Sequence, residues 1–263
     1  MDMELTYIYH SGFALSGDGF TVIMDYYRDS EDGQAQADLN RLMDGTFSNQ
    51  EAGMPEGTVH SELLRRPGKL YVLASHFHPD HFNKEVLQWR EQRPDIIYIF
   101  SKDILRHRRA QKEDAVWLKK GEEYKDETLS VRAFGSTDVG VSFLLQASEK
   151  KIFHAGDLNN WHWMDESTEA EWKEAEKNFL HELDDLYAYT PEVDVAMFPV
   201  DPRLGKEYMR GAGQFVTKIK THIFVPMHFT PEYAKANAFR DFAEAHGVRF
   251  VSLTHRGQKI EIE

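Results

Sequence analysis

"LYVLASHFHPDHFN", residues 70–83, joins an apolar run to a tight group of polar side chains. His76, His78, Asp80 and His81 fall within six residues. The run before them reads as a buried strand, and polar groups at the end of such a strand sit on a loop held by a rigid sheet. One residue separates His76 from His78, so in an extended segment both side chains face one way and can grip one ion. Asp80 and His81 come after Pro79, where the chain turns. Their direction suits a second ion, or another side of the first. The plain alternative is a histidine-rich surface turn, and the rest of the chain decides by supplying or withholding the missing ligands.

The same pattern recurs along the chain. "FTVIMD" ends at Asp25, "KIFHAGD" at Asp157, "VDVAMFPVD" at Asp201, "HIFVPMH" at His228 and "RFVSLTH" at His255. Several such ends on one rim would make a site. Asp25 with His76 in the first half, and Asp157 with His228 in the second, form a coarse twofold echo. Between the strands, "NKEVLQWREQR" reads as a helix that buries Val86 and Trp89 and is stopped by Pro94. Residues 167–189 place Trp172, Phe179, Leu183 and Leu186 at helical spacing. A third helix is expected from Pro231, with Gly247 as its terminus. "AQADLNRLM", within a Gly- and Asp-punctuated stretch from Glu31 to Ser61, suggests one short helix. Alternating runs ("LSVRAF", "GVSFLLQA") beside continuous ones, mixed with helices, argue α/β or α+β. No linker divides the chain, so residues 1–263 read as one domain.

Composition narrows the function. Hydrophobic residues make up 41% of the chain, with 17 Phe, 11 Tyr and 5 Trp, enough for a sizeable core. There is no cysteine, so disulfides are excluded and any metal must be held by His, Asp or Glu. The net charge of -13 repels polyphosphate backbones, so nucleic acid is not the expected partner. The basic cluster "RHRRAQK" at 106–112 reads as a solvated helix face. No apolar run is long enough for a bilayer, and the N-terminal residues lack the pattern of a secretory signal. A cytoplasmic protein with a small-molecule substrate and no membrane partner is the expectation; oligomeric state is open.

Zinc takes imidazole and carboxylate, usually four donors with one position open when the site is catalytic. One cluster cannot complete two such spheres. Asp157 and His228 are the best completing ligands, since each follows an apolar strand, and the two oxygens of Asp157 allow it to bridge two ions. Paired ions of this kind activate water and polarise the group it attacks.

"HFHPDH", "GD" at 156–157 and "PMH" at 226–228 together resemble the metal-binding motifs of the metallo-β-lactamase superfamily. The resemblance spans most of the chain, from "FTVIMD" to the C-terminal strand. It implies an α+β, four-layer αββα sandwich, with two mixed β-sheets flanked by helices and the site at one edge. It also implies that His76 and His78 bind a first metal, that Asp80, His81 and His228 bind a second, and that Asp157 bridges. One family histidine has no counterpart: the strand region "LSVRAFGSTDVGVSFLL" contains none, and His107 and His154 do not fit the motif. Asp138 is the candidate replacement, with Ser136 or Thr137 at best holding water. A single ion at Asp80, His81, Asp157 and His228 is the alternative. Zinc, one or two ions, is the expected cofactor, with manganese or iron admitted by the extra oxygen ligands.

Around these ligands, Asp25 and Asp201 are candidates to orient imidazoles from behind. His10, Trp161, Trp163 and His255 are candidate substrate-pocket residues. Arg203, Lys206 and Arg210 could meet an anionic group or simply be surface charge. No phosphate-binding glycine fingerprint and no serine-nucleophile motif occurs. The leading expectation is a metal-dependent hydrolase of a small ester, lactone or phosphodiester, with Asp80 orienting or deprotonating the nucleophile. A nuclease of the same fold and a non-catalytic metal-binding protein are the alternatives.

Overall fold

The computed structural model describes residues 3–30 and 57–263. The expected short helix at "AQADLNRLM" lies outside the described residues. Two seven-stranded sheets are built to the same plan. The first has the order β14-β1-β2-β3-β4-β5-β6, from β1 (Met3–Tyr9), β2 (Gly12–Gly17), β3 (Phe20–Met24), β4 (Lys69–Ala74), β5 (Ile97–Ser101), β6 (Val116–Leu118) and β14 (Lys259–Ile262). The second has the order β13-β12-β11-β10-β9-β8-β7, from β7 (Glu123–Lys125), β8 (Leu129–Phe134), β9 (Ser142–Ala147), β10 (Lys150–His154), β11 (Glu192–Pro199), β12 (Lys220–Met227) and β13 (Arg249–Phe250). In the first, β14 to β3 pair antiparallel and β3 to β6 parallel. In the second, β7 to β10 pair antiparallel and β10 to β13 parallel. Both sheets are therefore mixed, and the twofold echo in the sequence is an echo of topology.

Alternation along the strands sets the layers. Val22 and Met24 of β3, with Tyr71 and Leu73 of β4, join a core shared with Val131, Phe143, Ile152, Val195 and Phe224 of the other sheet. The intervening Ile23, Leu70 and Val72 face a second cluster with Val86, Trp89 and Ile104. A strand buried on both faces reads as a continuous apolar run, which is what residues 70–74 show. The helices are α1 (Thr58–Ser61), α2 (Lys102–Arg106), α3 (Glu169–Tyr189), α4 (Arg210–Lys218), α5 (Tyr233–Asn237) and α6 (Arg240–Ala245). α3 buries Phe179, Leu183 and Leu186, and Thr168 with Glu171 forms a capping box at its start. The fold is an αββα sandwich.

Three local expectations change. Lys84–Glu91 is a 3-10 helix, in which the two buried side chains, Val86 and Trp89, stand one turn apart. The helix expected from Pro231 is two short ones. Phe239, at the break, packs on Phe224 with centroids 5.0 Å apart, while Asn237 turns its amide to both backbone groups of Leu253. "RHRRAQK" is mostly a turn, since α2 ends at Arg106.

Candidate metal centre

The parallel strands β3, β4, β10, β11 and β12 end at one rim, where Asp25, His76, Asp157, Asp201 and His228 follow them. Two glycines let the sheets meet there. Gly140 has φ +76, and a Cβ on it would lie 2.1 Å from the Ser75 carbonyl oxygen. Gly156 has φ +53, and a Cβ on it would lie 2.8 Å from Ser75 Cβ. The β8–β9 loop closes on β4 through Val141 N–H donating to Ser75 O at 3.0 Å, which carries Asp138 to His78. Seven non-glycine residues among those described have positive φ, and three of them, His10, Asp25 and His228, stand at this rim. Such backbone persists where the surroundings over-determine it, and it clusters at functional sites.

The donors divide into two sets. His76, His78, Asp138 and Asp157 have donor atoms all within 4.8 Å of one another, and so do His10, Asp80, His81 and His228. Asp157 faces both. Its Oδ2 is 3.4 Å from His76 Nε2, while its Oδ1 is 3.1 Å from His81 Nε2 and 3.3 Å from His228 Nε2. In the first set His76 Nε2 is 3.0 Å from His78 Nδ1, and His78 Nδ1 is 3.5 Å from Asp138 Oδ2. In the second, Asp80 Oδ2 is 3.4 Å from His10, 3.8 Å from His81 and 3.9 Å from His228 Nε2. Two donors bonded to one ion at about 2.1 Å stand about 3.0 Å apart at right angles and about 4.2 Å apart when opposite. The spacings fit. So does the chemistry: His10 Nε2, His81 Nε2, His228 Nε2 and Asp157 Oδ1 are buried without a hydrogen-bond partner. Buried polar atoms are normally satisfied, and four left over at one point call for a cation.

Acceptors behind the rings fix which nitrogen faces inward. His81 Nδ1–H donates to Asp25 Oδ2 at 2.7 Å, and His228 Nδ1–H to Asp201 Oδ2 at 2.9 Å. Asp25 Oδ1 also accepts Ser75 N–H at 2.7 Å and Oδ2 the Ser75 hydroxyl at 2.6 Å; Ser75 Oγ is 3.0 Å from His76 Nδ1. Arg203 in turn grips both oxygens of Asp201. Burial opposes charge on His81, but the carboxylates of Asp157 and Asp80 outweigh it and hold the ring well above its ordinary pKa. Burial likewise disfavours the charged His228 ring, and Asp157 and Asp201 more than compensate, so it too is raised. Burial would raise Asp80 and Asp157, yet the surrounding imidazoles keep both carboxyls below their ordinary range. His10 differs: burial and then the neighbouring His228 push it down to about 4.

His154 is not a candidate ligand. Its Nε2–H donates to Ser11 O at 2.8 Å and its Nδ1 accepts Gly156 N–H at 3.1 Å, and burial lowers its pKa. His255 is exposed, bonded to Thr254 Oγ1 at 2.9 Å, and does not line the cleft described below. β13 stops at Phe250, five residues short of it: after a last bond from Val251 N–H to Phe224 O, both backbone groups of Leu253 turn to the Asn237 side chain. Trp161 stands beside the centre: its Nε1–H donates to Asp157 O at 2.8 Å and its ring is 5.5 Å from that of His228. Trp163 stacks on Trp161, one step further out. Arg210 turns to Glu176, 2.7 Å away.

A cleft of about 380 Å³ opens on the second donor set, walled by His10, Asp80, His228, Tyr9, Tyr27, Phe229, Arg203 and Lys235 among others. The aromatic walls and Ser75 were missing from the sequence reading. Ser75 had a signal, its position directly before His76, whereas Tyr9, Tyr27 and Phe229 look like ordinary core residues.

Residues 4–174 match the model of a β-lactamase superfamily domain. The chain belongs to the metallo-β-lactamase superfamily. Among solved structures, a metallo hydrolase from the archaeon Ignicoccus hospitalis is similar over 100% of this chain and 99% of its own, with TM-score 0.63 and 18% identity. A possible metal-dependent hydrolase from Veillonella parvula is similar over 99% of each chain, with TM-score 0.62 and 12% identity. A diiron β-hydroxylase from Streptomyces venezuelae is similar over 98% of this chain but only 54% of its own, with TM-score 0.61 and 14% identity. At these identities the likeness is one of fold. No curated protein matches the sequence significantly.

Proposed function

We propose that this member of the metallo-β-lactamase superfamily is a hydrolase that holds two divalent cations and acts on a small ester, lactone or phosphodiester. The observation that carries the reading is Asp157, whose two oxygens face two separate donor sets beside an open cleft. His76, His78 and Asp138 would hold one cation, Asp80, His81 and His228 the other, with zinc, manganese or iron as candidates. When bound, the pair would lower the pKa of water and polarise the carbonyl or phosphoryl group under attack. Asp201 and Asp25 keep the Nδ1 protons of His228 and His81, so both rings present Nε2 inward. Asp80 is anionic and lines the cleft, placed to orient a nucleophile or take its proton. Tyr9, Tyr27 and Phe229 supply apolar walls, while Arg203 and Lys235 can neutralise an anionic leaving group. A cavity of this size suits a small molecule. The diiron hydroxylase among the similar folds is reason to test iron as well as zinc and manganese.

The test is a panel of carboxylic esters, lactones and phosphodiesters offered to metal-loaded protein. Hydrolysis of at least one class is expected, lost on chelation and regained on returning the cation. Fully loaded protein that turns over nothing in the panel would sink this reading.

A further inference from the structure

His10 stands in the turn between β1 and β2 with φ +57, in the left-handed region that few non-glycine residues adopt. Two backbone bonds fix it there. Its N–H donates to the Tyr7 hydroxyl at 3.0 Å, and its carbonyl accepts His228 N–H at 3.3 Å. The ring is thereby set 4.3 Å from the His228 ring and 6.0 Å from the His81 ring. Its Nε2 is buried and makes no hydrogen bond, although Asp80 Oδ2 is only 3.4 Å away. That approach to Asp80 is too long and too poorly aligned to satisfy the nitrogen on its own. Instead the nitrogen is aimed at the point where His81 Nε2, His228 Nε2 and Asp157 Oδ1 are also left over.

We propose that His10 Nε2 binds the same cation as Asp80, His81 and His228, which together with the bridging Asp157 makes a five-donor site for a six-coordinate divalent cation. Zinc in catalytic sites usually takes three protein donors in a tetrahedral arrangement, so five donors favour an ion of the manganese or ferrous type. The neighbouring site has four donors, and its His78 and Asp138 side chains are 37% and 43% exposed. The two sites are therefore unequal, and the five-donor one fills first. The proposal rests on the metal-binding reading of the centre and on no substrate.

The experiment titrates metal-free protein with Mn2+, following free ion by electron paramagnetic resonance, in wild type and His10→Asn. Asparagine tolerates the left-handed turn but cannot reach the centre. Wild type should show two binding classes, with the tighter one weakened roughly tenfold or more in the variant and the weaker one little changed. Two unchanged classes in a folded variant would overturn the proposal while leaving the two-cation reading intact. Wild type that binds no Mn2+, and no Zn2+ in a parallel titration, would overturn both. If His10→Asn does not fold, X-ray absorption of wild type with one equivalent of Mn2+ decides. Three imidazoles on the ion are expected from His10, His81 and His228, and two would overturn the proposal.

Discussion

Asp157 exposes only 6% of its surface, yet its two oxygens lie within 3.4 Å of His76 and 3.1 Å of His81 on opposite sides. Asp157→Asn keeps the size, removes the charge and leaves one oxygen, so one donor set loses its shared ligand. Metal content should fall to about one ion or fewer, and turnover roughly tenfold or more, as metal analysis and initial rates would show. Asp138→Asn should lose one ion in the same measurement if Asp138 stands in for the missing histidine. Unchanged stoichiometry in Asp157→Asn would remove the bridge. Asp25 is a different case, since it belongs to neither donor set. It accepts Ser75 N–H, the Ser75 hydroxyl and His81 Nδ1–H, and an amide in place of its carboxylate would set a donor against a donor. Asp25→Asn should cost about 1–3 kcal/mol in denaturant unfolding and weaken metal binding about 10–100-fold. At this scale the sequence was most legible where ligands are clustered, as in "HFHPDH". His10 and Asp138 carry no such signal, because a turn and a loop distant in sequence bring them in.

Elements explain the rest of what could and could not be read. A strand buried on both faces announces itself, and five of the six apolar runs that end in a polar residue are strands ending at the rim. The sixth leaves the sheet early: Val251 N–H makes a last bond to Phe224 O, and Leu253 keeps the apolar alternation while its N–H turns to the Asn237 side chain. Helix type in residues 84–91 was beyond a pattern reading, since the spacing of Val86 and Trp89 suits either form. That short helix has a further attachment. His60, in α1, donates from Nδ1 to Asp29 Oδ2 at 2.6 Å and from Nε2 to Glu85 Oε1 at 2.7 Å. It ties the chain after β3, α1 and the 3-10 helix together. The hydrogen bond to Asp29, then that to Glu85, raises the ring to about 9. A histidine raised in the folded state stabilises fully below its unfolded pKa of about 6.5, and the benefit is lost as pH climbs through the folded value. In metal-free protein the unfolding free energy should therefore decline between about pH 6.5 and 9, by on the order of 1–3 kcal/mol from this group. His60→Gln should flatten that decline in urea titrations across the range. An equally steep decline in the variant would show that His60 is not its source.

Across the whole molecule the two sheets contribute opposite halves of one centre. The first supplies His76, His78, Asp80 and His81 after β4, and the second supplies Asp157 after β10 and His228 after β12. Bound cations would therefore join the sheets, and a ligand that binds only the folded state stabilises it by RT ln(1 + [L]/Kd), about 2.7 kcal/mol at a hundredfold excess over Kd. Without cations, the same joint is made by charge pairs. Asp157 and Asp80 stay ionised, and His81 and His228 are both raised, so their rings tend to keep protons that a cation must displace. The sign follows: acid favours the protonated rings and weakens metal uptake, and affinity grows as pH rises through their folded pKa values. Calorimetric titration with Zn2+ at pH 7 in buffers of different ionisation enthalpy should report at least one proton released per centre. The apparent Kd should tighten between pH 6 and 8, and thermal stability at fixed metal should rise over the same interval. In Asp201→Asn, His228 loses the second of the carboxylates that hold its proton, so fewer protons should be released and the pH dependence should flatten. Metal uptake with no proton release, at an affinity independent of pH, would mean that the imidazoles are already neutral and that the charge pairing described for the metal-free centre is wrong.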